Sequence, residues 1–213
     1  MILETVVVGA LQVNCYVLGC EQTRQAVVID PGDELPAIQA ALRKHDLTLA
    51  RIIVTHTHFD HMLAARPLQD ATGAPFFLHP AEQPVLGMMR RMTLAWMAFD
   101  PGEPPRIDGD LAPGEPVSFG AETLEVRWTP GHSPGSVTFV HHASRRAFTG
   151  DALFAGSIGR TDLPGGDLDV LLSSIRAEIL TLPDDTAVLP GHGPASTVSA
   201  EQRGNPFLVE GGG

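Results

Sequence analysis

The chain has 213 residues, 43% of them apolar and 18% charged, with a mean hydropathy of +0.06; this excludes disorder and suits one domain over 1–213. A formal charge of −11, with no basic cluster longer than Arg90 beside Arg91, argues against nucleic acid as a partner. No window stays apolar over a membrane-spanning length, and "MILETVVVGALQVN" has neither a basic leader nor a cleavage site, so no membrane partner and a cytoplasmic location are expected.

In chain order, alternating or wholly apolar runs predict strands over 3–8, 14–18 and 25–29. Cys15 and Cys20 are too far apart for a CxxC redox pair and read as small buried apolar residues. A helix follows over 34–44, with Leu35, Ile38, Ala41 and Leu42 on one face. Strands over 51–55 and 75–78 flank a stretch in which Pro67 forbids a continuous helix, so a turn over 61–66 and a helix entered at Pro67 are expected. Residues 80–115 separate two halves of similar element order, and "MMRRMTLAWMAF" within them reads as a flap over a pocket or as a packing helix. The second half has strands over 124–129, 136–141, 146–149 and 187–189. Its helix over 168–180 has Leu171, Leu172, Ile175 and Ile179 on one face and Asp167 as N-cap. The terminal "GGG" reads as a frayed tail. Two sheets face to face with helices outside would bury these runs on both sides.

Each of four strands is followed by metal-donor groups. "RIIV" leads into "THTHFDH", "LEVRW" into "TPGH", "AFTG" into Asp151, and "AVLP" into "GH". Strand carboxyl ends are where layered α/β folds bind ligands, so these groups are expected to converge. His56 and His58, two apart in extended chain, point to the same side. One divalent ion is expected on His56, His58, His132 and Asp151, and a second on Asp60, His61, His192 and the bridging Asp151. Imidazole and carboxylate without thiolate suit Zn, Fe(II) or Mn(II) without ranking them by ligand type; two divalent ions are expected, Zn ahead of Fe or Mn. Asp30, at the end of "AVVID", is placed to orient a ligating imidazole or to start a turn. His45, His79, His141 and His142 are read as non-ligands.

The motifs "THTHFDH", "TPGHSPGS", "FTGDALF" and "LPGH" resemble those of the metallo-β-lactamase superfamily over nearly the whole chain. The resemblance implies an α/β fold, a four-layer αβ/βα sandwich with a metal site at one edge of the two sheets. Within the superfamily, "GSIGRTDLPGGD" and the ending "NPFL" are similar to the short hydroxyacylglutathione hydrolase (glyoxalase II-like) proteins. That similarity implies a binuclear metallohydrolase of a small thioester, glutathione-linked or on another thiol, with Asp60 orienting the attacking hydroxide. The helical region through which full-length glyoxalase II contacts glutathione is not expected within residues 193–213, which leaves the thiol carrier open. "GRTD" is also similar to the persulfide dioxygenases, so a mononuclear iron dioxygenase is the alternative, and a non-catalytic metal or ligand binder the alternative of another class. Arg160 and Asp162 are expected to pair and shape their loop, with substrate binding as the second reading.

Overall fold

The computed structural model describes residues 1–209, so the glycine tail lies outside the described residues. The first sheet has the order β1 (Ile2–Val8), β2 (Val13–Gly19), β3 (Gln25–Ile29), β4 (Thr48–Ile53), β5 (Phe76–Leu78) and β6 (Ile107–Asp110). Its first three strands pair antiparallel, and β3 to β6 run parallel. The second sheet contains β7 (Val117–Phe119), β8 (Glu122–Trp128), β9 (Val137–His141) and β10 (Arg146–Gly150). A small hairpin, β11 (Leu153–Phe154) with β12 (Ser157–Ile158), leads towards β13 (Ala187–Pro190) and β14 (Ser196–Thr197), which join that sheet in the order β14-β13-β10-β9-β8-β7. Here β10 and β13 are the parallel pair.

Alternation along the strands builds three apolar layers. In β3, Ala26 and Val28 pack outward with Ile38 and Leu42 of α1 (Leu35–Lys44) and with Leu68 of α2 (Ala65–Thr72). Val27 and Ile29 face inward, where they share a core with Phe119, Leu124, Phe139 and Phe148 of the second sheet. On that sheet's outer face, Val140, Ala147 and Val188 pack against Leu171, Ile175 and Ile179. Strands buried on both faces need apolar residues at every position, as "AVVI" has. The layers are helix, sheet, sheet, helix, the four-layer sandwich.

Two local expectations shift. The helix after the donor motif starts at Ala65, following a 3-10 turn over Phe59–His61, and Pro67 sits in its first turn, where a backbone N–H has no intrahelical partner. The 80–115 segment contributes α3 (Gln83–Leu86) and α4 (Met89–Met97). The helix over 168–180 is α5 (Leu168–Ser174), capped by the Asp167 carboxylate on the Val170 N–H, and it continues as a π-helical stretch over Ile175–Ile179. The chain then closes with α6 (Val198–Gly204). Cys15 and Cys20 are free and buried. Among the described residues no helix is long and apolar enough to cross a membrane.

Candidate metal centre

The parallel pairs β3–β4 and β10–β13 bring their carboxyl ends to one edge of the sandwich, and the donor groups follow those ends directly. His56, His58 and His61 come after β4, His132 after β8, Asp151 after β10 and His192 after β13; Asp60 lies in the 3-10 turn between them. All seven meet. Three groups of donor atoms lie mutually within 4.8 Å: His56, His58 and His132; His56, His61 and Asp151; and Asp60, His61 and His192.

In the first group His132 Nε2 is 2.9 Å from His58 Nδ1 and 3.2 Å from His56 Nε2. A hydrogen bond does not account for the approach of His132 to His56. The His132 Nδ1–H is donated to the Arg160 carbonyl at 2.8 Å, and the His56 Nδ1–H to the Thr55 hydroxyl at 3.1 Å, so both Nε2 atoms present lone pairs to each other. Donors bound tetrahedrally at about 2.0–2.1 Å from one ion stand about 3.3–3.4 Å apart, close to the spacing found.

The second group surrounds Asp151. Its Oδ1 is 3.3 Å from His61 Nε2, and its Oδ2 is 3.6 Å from His192 Nε2 and 3.7 Å from His132 Nε2. Asp60 Oδ2 lies 3.4 Å from His192 Nε2 and 3.7 Å from His61 Nε2. His61 Nε2 and Asp151 Oδ1 are buried without a hydrogen-bond partner, which costs free energy unless something else fills the gap. His192 donates its Nδ1–H to the Leu11 carbonyl at 2.9 Å, which leaves its Nε2 for the cluster. Gly191 is there because a Cβ would collide with Asp151 Oδ1 and with the His61 ring. Orphaned atoms, four imidazoles held with Nε2 towards the cluster, and ion-sized gaps all fit divalent metal.

Asp30 sets much of this order. It accepts the Thr55 N–H on Oδ1 and the Thr55 hydroxyl on Oδ2, both at 2.7 Å, and the His61 Nδ1–H on Oδ2 at 3.0 Å. One buried carboxylate thus orients His61 directly and His56 through Thr55.

Electrostatics separates the two groups in the metal-free protein. Burial, reinforced by the neighbouring imidazoles, pushes His56 well below its ordinary value and His58 down to about 3. Burial also opposes charge on His61, but the Asp151 and Asp60 carboxylates and the Asp30 hydrogen bond raise it well above the ordinary histidine value. His192 shifts the same way, burial being outweighed by the bond to Asp60 and the Asp151 charge. Burial would raise Asp151, yet the His61 charge with those of His132 and His192 holds it well below the usual carboxylate range.

A cleft of about 340 Å³ opens over the cluster, walled by Leu11, Phe59, Met92, Trp96 and Leu163 and by the Arg160 side chain. Segment 88–99 therefore contributes to the cleft wall through Met92 and Trp96. Arg160 makes two bonds to Asp162, at 2.7 and 2.8 Å, with its guanidinium carbon 5.7 Å from the Trp96 ring. The remaining histidines lie elsewhere: His45 on Glu4, His141 on Glu122, His142 on Glu125, and His79 stacked on Trp128. Sequence reasoning missed Thr55 and Glu82, whose partners are distant in the chain.

The profile of the Metallo-beta-lactamase superfamily matches residues 8–192, and the chain belongs to that superfamily. Hydroxyacylglutathione hydrolase GloC of Haemophilus influenzae is 35% identical, with 98% of each chain covered. Among solved structures, the BLEG-1 B3 metallo-beta-lactamase superposes with a TM-score of 0.91 at 37% identity, covering 98% of this chain and 100% of that one. TTHA1623 in a di-iron-bound form superposes at 0.87 and 40% identity, covering 96% and 100%.

Proposed function

We propose that the protein is a binuclear metallohydrolase of thioesters, similar in activity to the hydroxyacylglutathione hydrolase it resembles. One observation carries the reading: Asp151 stands between two donor triads, each spaced for one ion. Its closeness to GloC supports a thioester, and its closeness to a di-iron protein supports the paired site. His56, His58 and His132 would hold one ion, Asp60, His61 and His192 the other, and Asp151 both. When bound, such ions lower the pKa of a water to roughly 7 and polarise a carbonyl oxygen.

The chain's own groups do the rest. Asp60, 3.7 Å from His61 and 3.4 Å from His192, would orient the attacking water and accept its proton. The apolar wall at Phe59, Met92 and Trp96 takes the hydrocarbon part of the substrate and keeps bulk water from the carbonyl. The leaving thiolate, conjugate to an acid of pKa about 8.5, departs without a dedicated proton donor.

The test is metal content together with turnover of S-lactoylglutathione, further acyl thioesters and a chromogenic β-lactam by the zinc-, iron- and manganese-loaded chain. Thioester hydrolysis with two ions per chain supports the reading. One iron with oxygen consumed on glutathione persulfide would replace it with a dioxygenase. No turnover of any substrate would leave a metal-binding protein.

A further inference from the structure

We propose that Glu82 is a positioning residue that draws the two loops of the three-imidazole subsite into register before any ion arrives. The inference rests on the metal-site reading above. Glu82 follows "HPA" at the start of the 80–115 segment, far in sequence from every donor, yet it is 0% exposed beneath them. Its Oε2 accepts the Thr57 N–H at 2.7 Å and the Thr57 hydroxyl at 2.8 Å. Its Oε1 accepts the Ser133 hydroxyl at 2.5 Å and the Gly135 N–H at 2.8 Å. Thr57 lies between His56 and His58, and Ser133 adjoins His132. The two oxygens of one carboxylate therefore grip the two loops whose imidazole nitrogens converge.

Four neutral donors thus satisfy both oxygens of a carboxyl group whose burial would be costly without them. A loop that drifts strips the carboxylate of half its partners, which gives Glu82 a free-energy hold on loop separation. Its side chain also fills the space that a residue larger than glycine would need at 135: a Cβ there would lie 2.7 Å from Glu82 Cγ and 2.8 Å from its backbone nitrogen. Glutamine cannot substitute. Whichever way its amide turns, the NH2 faces N–H and O–H donors of one loop and releases that loop.

The experiment measures zinc affinity of the metal-free full chain by competition with a chromophoric chelator, and cobalt(II) absorption as a signature of coordination. Glu82→Gln should weaken the tripod about 10–100-fold, the scale seen when partners that orient ligands are lost, and change the cobalt spectrum. Gly135→Ala, which keeps the carboxylate but displaces it, should do the same and serves if Glu82→Gln does not fold. Phe119→Leu, a buried change on β7, is the control: it lowers metal-free stability with affinity unchanged. Wild-type affinity and spectrum in both site variants overturns the role of Glu82, as does an equal loss in Phe119→Leu. Wild-type protein that takes up no zinc overturns the metal-site reading itself, and this inference with it.

Discussion

Asp30 Oδ2 lies 3.0 Å from His61 Nδ1 and 2.7 Å from the Thr55 hydroxyl, so a single oxygen fixes the tautomers of two neighbouring imidazoles, one from each triad. Asp30→Asn keeps the shape but offers one acceptor oxygen where three donors converge. Its expected effect is a 10–100-fold weaker second ion, read as a fall from two zinc per chain towards one. Undiminished zinc content at limiting metal would contradict it.

Asp151→Ala removes the carboxylate that, alone among the described residues, faces both triads. Thioester turnover should fall at least about a hundredfold, the rate equivalent of several kcal/mol, with loss of metal from both positions. A variant that retains two ions and near-normal kcat would show that the bridge is elsewhere.

The metal-free protein should be most stable near pH 6.5. His58, with a folded pKa of about 3, and His56, also depressed, resist protonation that the unfolded chain accepts, so acidification from 6.5 towards 3 costs stability. His61 and His192 are raised; their contribution is full below about 6.5 and is lost as pH rises through the folded values. Urea melts between pH 4 and 9 test this, and a profile that only rises or only falls would refute it. Zinc should flatten the alkaline limb, because it needs those imidazoles unprotonated.

Chelation should lower the melting temperature by roughly 8–16 °C, since zinc at a thousand times its Kd adds about 4 kcal/mol in a chain of this size. Calorimetry with and without chelator reads the shift.

Trp96→Ala should raise KM for the thioester by roughly 3–10-fold and change kcat by less than about twofold. The indole walls the cleft, 56% exposed, without being a donor to the cluster. An equal fall in kcat would mean that it orders the reacting groups.

Much of the architecture is legible in the chain because burial on both faces writes itself as unbroken apolar runs such as "AVVI" and "IIV". The short strands β6 and β7 escape: "IDGD" is mostly exposed and polar, held by pairing along β5 and by the Asp108 carboxylate on Gln69 and the Phe76 N–H, and "VSF" has three residues. For "MMRRMTLAWMAF" the sequence leaves a flap and a packing helix open, because Arg90, Arg91 and scattered methionines blur the apolar face of α4. The donor string at 56–61 announces itself by density, whereas Glu82 and Thr55 act through hydrogen bonds that no local spacing encodes.

The Asn14 amide donates to the carbonyls of Pro190 and Gly193, at 3.0 and 2.9 Å, and the Tyr16 hydroxyl to Pro190 at 2.7 Å. The strand made second during synthesis is thus what seats the last imidazole made. Until the ribosome has released His192, that seat has no tenant, and closing so wide a loop is a slow, late event. A chain that stopped before residue 187 would lack both β13 and His192, and the group of Asp60 and His61 would be short of its third donor.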